Sequence, residues 1–237
     1  MPEIVLGGRT ISYRRRISAR AKRVIVRVEY RSGVELVVPH RGAPHRPEAV
    51  LERYADWVLR QIDRVERLKA HSPHIEWRHG GSVPLFGRPC PIEVQPTALN
   101  RAAARYEAGV IRVTLPRDAG EDLLRRLILA LFVRIGQEVV GARVPHHAAL
   151  AGVQPGRIRF RMQRSLWGSC TARGDLAFNL RLLLAPPEIL DYVVAHEVAH
   201  LLHLDHGPAF KALLGRLCPD YRRHERWLHD NGESLGF

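Results

Sequence analysis

The chain has 237 residues, of which 46% are hydrophobic and 26% charged, and its formal net charge is +13. This composition excludes a disordered protein, because it is sufficient for the core of one large domain or two small ones. No apolar run approaches the roughly 20 residues that span a bilayer, and the N-terminus lacks the apolar region of a signal peptide. We therefore expect a cytoplasmic protein without a membrane partner.

The three cysteines, at positions 90, 170 and 218, lack C-x-x-C spacing, so we expect reduced thiols. The 37 Lys and Arg outnumber the 24 Asp and Glu, and such a surplus can attract nucleotides or nucleic acid. Its densest cluster holds Arg14 to Arg16, Arg20, Lys22 and Arg23. A solvated strand edge is the favoured interpretation of this cluster. Nucleotide or nucleic-acid binding by these basic hairpins is the alternative.

Short β-branched segments separated by glycine turns predict antiparallel hairpins in the N-terminal half. A 3.6-residue apolar period over residues 47–70 predicts one helix there. We find no internal sequence repeat, and we assign residues 1–118 to a β-rich region with basic hairpins. The predicted strands are residues 4–6, 10–13, 24–28, 34–38, 92–94, 104–107 and 110–115, with Ala108-Gly109 as the last turn.

The pattern changes near residue 119, where a long apolar stripe predicts a helix that stops near Gly141 to Pro145. His146 and His147 follow a proline and are expected to face solvent. The predicted class is α+β, with residues 119–237 as a second domain. Its further predicted elements are strands over 157–163 and 176–184, helices over 209–217 and 220–229, and a frayed end over 231–237.

The most informative stretch is His196-Glu197-Val198-Ala199-His200. On a helix, the two imidazoles lie roughly 40° apart around the circumference, with Glu197 roughly 60° beyond His200. This spacing is typical of metallohydrolases in which both histidines bind Zn²⁺ and the glutamate is the general base. Apolar neighbours predict a buried helix that begins at Pro186-Pro187. The alternative is a buried helix whose histidines only form hydrogen bonds.

A catalytic zinc ion needs a third protein ligand, and two histidines lie close enough in the sequence. His203 falls on the same helix face, but its Cα would lie about 10.5 Å along the axis from that of His196. His206 precedes Gly207-Pro208, where the helix should already have ended and the chain can fold back. We predict His206 as the third ligand and place His203 at the surface or beside the ligands.

The segment Trp167-Gly168-Ser169-Cys170 lies between the two predicted strands of this half. If the pair lies over the metal face, its exposed edge would hold an extended peptide by main-chain hydrogen bonds. Asn179 and Arg181 point away from the apolar strand face and are candidates to reach the site. Cys170 has no neighbouring base to activate it and is expected to be a packed thiol.

Five motifs follow one another in the C-terminal half: residues 164–170 (RSLWGSC), 179–182 (NLRL), 196–201 (HEVAHL), 206–210 (HGPAF) and 218–221 (CPDY). Their order resembles the YgjP-like family of zinc metallopeptidase-like proteins, which is related to the SprT-like proteases. Leu166 departs from the arginine usual there, and Asp205-His206-Gly207 from asparagine-histidine-serine. The resemblance implies a zincin-like domain with His196, His200 and His206 as ligands and Glu197 as catalytic base.

We therefore predict a zinc-dependent metallopeptidase that hydrolyses peptides or proteins through a metal-activated water. Histidine ligands also accept other divalent first-row ions. Trp167, Asn179, Arg181 and His203 are predicted to support the site or contact substrate. One alternative is a metal-dependent nucleotide or phosphoanhydride hydrolase, and another is a nucleic-acid-associated protein with a structural zinc.

Overall fold

The computed structural model describes residues 1–72, 75–99, 101–163 and 165–237. Arg164, the first residue of the RSLWGSC motif, therefore lies outside the described residues. The fold is α+β, with 41% helix and 27% strand and a strand-rich N-terminal half, which confirms the predicted class. The chain forms two compact units, Met1–Ser72 and Pro73–Phe237.

The first unit contains a four-stranded sheet made of two hairpins. Strands β1 (Glu3–Leu6) and β2 (Arg9–Ser18) are antiparallel, as are β3 (Ile25–Glu29) and β4 (Gly33–Pro39). These are the predicted hairpins. They join through a parallel pairing of β2 with β4, which gives the strand order β1-β2-β4-β3.

The helical segment of the first unit is interrupted once. Helix α1 covers Ala49–Arg53 and α2 covers Ala55–His71, whereas the apolar period predicted one continuous helix. Tyr54 leaves the helical conformation, with φ −111° and ψ 26°. Leu51 and Val58 are fully buried on either side of this break and pack with the apolar face of the sheet.

The second unit begins with another four-stranded sheet. Strands β5 (Ser82–Leu85) and β6 (Arg88–Thr97) are antiparallel, and so are β7 (Ala103–Glu107) and β8 (Val110–Pro116). A parallel pairing of β6 with β8 gives the order β5-β6-β8-β7. The turn between β7 and β8 is the predicted Ala108-Gly109.

The two sheets follow one plan, although the sequence shows no repeat. Strands of 4, 10, 5 and 7 residues occur in the same order in both. The parallel pairing ends at Ser18 opposite Pro39 in one sheet and at Thr97 opposite Pro116 in the other. Six buried positions also correspond: Leu6, Ile11, Tyr13, Val34, Leu36 and Val38 match Leu85, Cys90, Ile92, Ile111, Val113 and Leu115.

Helix α3 (Glu121–Ala151) is longer than predicted, because it continues through Pro145. The predicted stop near Gly141 to Pro145 is wrong. Proline removes one helical hydrogen bond, but Val144 and Ala148 on either side of it are buried in the core. The helix ends instead at Gly152, whose φ of +72° is a left-handed conformation that favours glycine.

A third, three-stranded sheet follows α3. It contains β9 (Ile158–Arg161), β10 (Gly168–Cys170) and β11 (Leu176–Asn179) in the order β10-β11-β9. The predicted strand over 176–184 is correct only as far as Asn179. From Leu180 to Leu184 the chain is a 3-10 helix, because the Asn179 side chain accepts a hydrogen bond from the backbone N–H of Arg181 and so caps a helical turn.

Three helices complete the second unit: α4 (Pro187–Ala199), α5 (Pro208–Leu217) and α6 (Tyr221–Asn231). The C-terminal residues do not fray as predicted. Leu235 is buried, and the ring of Phe237 contacts that of Phe132 with centroids 5.6 Å apart. None of the helices in the described part of the chain has the length and apolar character needed to cross a membrane.

The compact units do not divide at the predicted domain boundary between residues 118 and 119. Strands β5 to β8 share a hydrophobic core with α3 and α4, in which Ile92 and Ile111 join Ile128, Phe132 and Val198. The second sheet therefore belongs to the unit that carries the HExxH helix. The assignment of 1–118 and 119–237 as domains stays a prediction.

Candidate metal centre

The centre is built on helix α4, which lies in the hydrophobic core. Its N-terminal residues are Pro187 and Glu188, and proline is favoured in the first turn because its missing N–H has no helical partner there. Ile189, Val194 and Val198 are buried to 2% exposure or less. Burial on most of its circumference fixes the helix, and with it the direction of His196 and His200.

Three histidine side chains converge at the C-terminal end of α4. The Nε2 atom of His196 lies 3.2 Å from Nε2 of His200 and 3.1 Å from Nε2 of His206. A tetrahedral zinc ion with bonds of roughly 2.0–2.1 Å separates its ligand nitrogens by roughly 3.3 Å. The donor set and its spacing therefore fit a first-row divalent ion, and these three residues could hold one.

A tight reversal of the chain after α4 brings the third histidine into the group. The helix ends at Ala199, and Asp205 Oδ1 accepts a hydrogen bond from the N–H of Gly207, immediately before α5. Helix α5 carries Phe210, whose ring centroid lies 4.6 to 5.0 Å from those of all three histidines. Phe210 thus forms an apolar wall behind them.

His203 contributes its backbone rather than its ring. Its carbonyl oxygen lies 2.9 Å from Nδ1 of His200. If that nitrogen donates the hydrogen bond, the proton is held on Nδ1 and the lone pair on Nε2 is free to bind a metal. The His203 side chain does not belong to the convergent group.

Burial keeps two of these histidines neutral. Burial, together with the charges of His200 and His206, lowers the pKa of His196 to about 4. Burial also lowers the pKa of His200, with a further contribution from His206, although the hydrogen bond with the His203 carbonyl opposes this change. Both rings are therefore in the neutral form that binds metals at neutral pH.

Glu197 directly follows His196 in helix α4, and its side chain is buried. Its side chain is 4% exposed, its Oε2 atom has no hydrogen-bond partner, and burial raises the pKa of its carboxyl group to about 8. An unpartnered buried carboxyl group is costly unless a cation lies nearby. This environment suits a group that exchanges a proton near neutral pH.

Strand β10 passes directly over this carboxyl group. A Cβ atom on Gly168 would come within 2.6 Å of Glu197 Cγ and Cδ, so no larger residue fits here without displacing Glu197. The strand lies at the edge of its sheet, since it pairs with β11 alone. An edge strand therefore lies beside the candidate general base, and the hypothesis that it binds an extended peptide stays a prediction.

Asn179 and Arg181 hold the loop that leads into β10. The buried Asn179 amide donates to the carbonyl oxygens of Gln163 and Leu166, both at 2.7 Å. Arg181 donates to the carbonyls of Gln163 and Leu235 and stacks on Trp167, with its guanidinium carbon 4.5 Å from the ring centroid. These contacts are to the loop and the C-terminus, and the three side chains can influence the site by positioning Gly168.

A buried polar contact that sequence reasoning missed ties α4 to α3. His147 is 3% exposed, and its Nε2 lies 3.1 Å from Asp191 Oδ1, with Arg143 Nε 3.2 Å from the same oxygen. The expectation that both histidines face solvent is wrong for His147 and correct for His146. The spacing of residues could have indicated that His147 is buried, because it lies three residues after the buried Val144 on the same helix face.

Two other sequence expectations concern Cys170 and the basic cluster. Burial, with the nearby charge of Glu197, raises the pKa of the Cys170 thiol, which suits a packed thiol and not a nucleophile. In the basic cluster, Arg15 forms an ion pair with Glu48 and Arg16 with Glu35. These partners favour a solvated strand edge over a free anion site.

Comparison with known families places most of the chain in one family. The family model described as YgjP-like, metallopeptidase domain, matches residues 22–231, which include the three histidines and Glu197. No curated protein and no solved structure matched the chain in the corresponding searches. Because the matched range covers most of its length, the chain belongs to the YgjP-like metallopeptidase family.

Proposed function

We propose that this protein is a zinc-dependent metallopeptidase in which His196, His200 and His206 hold the ion and Glu197 is the general base. The observation that carries the proposal is the convergence of three Nε2 atoms at the end of the helix that also carries the buried Glu197, whose Oε2 atom has no hydrogen-bond partner. Three imidazoles leave one tetrahedral position for water, as in catalytic rather than structural zinc sites.

A bound zinc ion supplies Lewis acidity, which polarises a scissile carbonyl and makes water a better nucleophile at neutral pH. Glu197 takes the proton of the attacking water and returns it to the leaving amine. Its buried position keeps bulk water from competing for that proton. The apolar wall of Phe210 holds the three ligand rings in place.

The edge of β10 supports an extended peptide as the substrate. Among the described residues β10 has no strand partner on its outer side, where a bound peptide can add as a further strand. Gly168, above Glu197, lets the scissile bond approach the base without a side chain between them. Because Gly168 has no side chain, the strand presents its main chain to a bound peptide at this point.

The test is the isosteric change Glu197→Gln, compared with Glu188→Gln, which alters an exposed carboxylate on the same helix. Glu197→Gln is expected to retain zinc and reduce peptide hydrolysis by about a thousandfold or more, since it removes the base and no ligand. Glu188→Gln is expected to behave as wild type. Equal hydrolysis by wild type and Glu197→Gln would refute the role of Glu197.

A metal-dependent nucleotide or phosphoanhydride hydrolase is the second candidate. It is supported by the cations Lys211, Arg222 and Arg226, which line a cavity at the histidines. Assays of casein, peptides and nucleoside triphosphates with zinc, manganese or magnesium separate the two. Hydrolysis of triphosphates alone, lost in Glu197→Gln, would favour this candidate.

A further inference from the structure

A cavity of about 600 Å³ opens beside the three histidines, between helices α5 and α6. His196 and His206 form its wall toward the candidate metal ion, and Phe210, Leu214 and Tyr221 provide apolar surface. Its volume is within the range of pockets that bind small ligands or one or two side chains. Any group held there lies next to the reacting centre.

The rest of the lining is strongly basic. Lys211, Arg222 and Arg226 contribute three positive charges, against one carboxylate from Glu225. Cations at the wall of a concave, partly apolar site attract an anion more strongly than the same cations on a flat surface, because the low-dielectric wall focuses their field. The cavity therefore favours a negatively charged occupant.

The basic side chains of this lining differ from those that have an acidic partner at ion-pair distance. Some basic side chains elsewhere have such partners, such as Arg9 with Asp63 and Arg112 with Glu93. Among the ion pairs within the described residues, none involves Lys211, Arg222 or Arg226. Glu225 offsets part of this charge, since it acts electrostatically on Arg222, and the remaining positive charge is available to a ligand.

We infer that this cavity is a specificity pocket that receives the carboxylate side chain of an Asp or Glu residue next to the scissile bond. The inference rests on the proposed peptidase function and adds the substrate class. Lys211 and Arg226 contact the carboxylate, and the apolar surface of Phe210 and Leu214 receives the aliphatic part of the side chain. Arg222 is steadied by donating from Nε to the hydroxyl of Tyr221, at 3.3 Å.

The experiment compares peptides that are identical except for one residue, scanned over the positions on either side of the cleaved bond. At each position Glu, the isosteric Gln and Lys are compared by kcat/KM. At one position wild type is expected to cleave the Glu peptide about tenfold faster than the Gln peptide, as one or two charge-assisted contacts would give. Equal rates for Glu and Gln at every position would overturn the inference.

Reversing the charge of cavity residues then tests whether the preference for Glu over Gln peptides comes from the cavity. Lys211→Glu and Arg226→Glu are expected to reduce the ratio of Glu to Gln cleavage by about tenfold and to raise relative cleavage of the Lys peptide. Arg223→Glu is the matched control, because Arg223 is an exposed residue of α6 outside the cavity lining. A preference that changes equally in Arg223→Glu would also overturn the inference.

Two controls keep the outcomes distinct. Zinc content and circular dichroism identify a variant that fails to fold. In that case Lys211→Gln is used instead, because it removes the charge without reversing it. It must also reduce the ratio of Glu to Gln cleavage. Cleavage of all peptides without charge preference would refute the specificity pocket but not the proposed peptidase function. Absence of any peptide cleavage, with triphosphate hydrolysis that depends on Lys211, would refute both.

Discussion

The two four-stranded sheets of this protein have the same strand lengths, order and register, but different surroundings. In the first unit, the turn between β1 and β2 is Gly7-Gly8, and a Cβ atom on Gly8 would meet no atom within 4 Å. In the second, the equivalent turn is Phe86-Gly87, and a Cβ atom on Gly87 would lie 3.1 Å from Pro186, at the start of α4. The second glycine of the first turn faces open space, whereas that of the other turn packs against the start of the HExxH helix.

The cores of the two units differ in the same way. Among the described residues, the buried polar or charged side chains are His147, Asn179 and Glu197, all in the second unit. The first unit has an apolar core throughout its sheet. The same β-sheet plan can thus be a purely packed layer or the support of the candidate metal centre, and what packs against the sheet determines which.

Among substitutions that distinguish the two units, Gly168→Ala is expected to have the largest effect on peptide hydrolysis. The added methyl group would collide with Glu197, so we expect peptide hydrolysis to fall by about a hundredfold or more, while zinc stays bound. The control is Gly7→Ala, which collides with Leu59 in the first unit and should alter stability but not activity. Activity assays with metal analysis test this, and an active Gly168→Ala would contradict the proposed role of Glu197.

The second unit should also make stability depend on pH, because it contains the buried carboxyl group of Glu197. Burial raises the pKa of Glu197 from 4.5 to about 8. Between these values the folded, metal-free protein holds a proton that the unfolded chain has lost, so stability falls as pH rises. Between pH 4.5 and pH 8, the free energy of unfolding of Glu197→Gln should therefore rise relative to that of wild type by on the order of a few kcal/mol.

Urea unfolding in the presence of a chelator measures this gain at each pH. Glu188→Gln, on the exposed surface of the same helix, is the control and should follow the wild-type curve. Parallel curves for wild type and Glu197→Gln across the range would show that the Glu197 carboxyl group is not buried in the metal-free protein.

The smallest expected effect is a difference in stability between alanine substitutions in the two equivalent turns, Gly7-Gly8 and Phe86-Gly87. Gly8 and Gly87 both have positive φ angles, of +80° and +74°, so alanine is strained at either position. Gly8→Ala is expected to cost about 1 kcal/mol from this strain alone. Gly87→Ala should cost about 1 kcal/mol more, because its methyl group also presses on Pro186. Equal costs, measured by urea unfolding, would remove the distinction between the turns.

Local pattern was sufficient for much of this molecule. The HExxH spacing places two histidines and Glu197 within little more than one helical turn, so no long-range information was needed to bring them together. His206 follows only a short reversal later, at turn residues that the sequence displays. The hairpins were recognisable because glycine is needed at positive φ, although their parallel pairing was not, since it joins residues far apart in the chain.

The features that were missed depend on tertiary packing. Helix α3 continues through Pro145 because its neighbours are buried, which outweighs a local signal to stop. The chain after Asn179 turns into a 3-10 helix although alternating leucines favoured a strand. The close approach of Gly168 to Glu197 and the hydrogen bond of His147 with Asp191 join separate elements, and no local period indicates such contacts.

The most direct test of the whole account is zinc stoichiometry in purified wild type, His206→Ala and His203→Ala, measured by mass spectrometry of the metal after dialysis. We predict one zinc per chain in wild type and in His203→Ala, since the latter keeps the carbonyl that contacts His200. His206→Ala should lose most of its zinc. Full zinc content in His206→Ala, or none in wild type, would contradict a centre formed by the three convergent imidazoles.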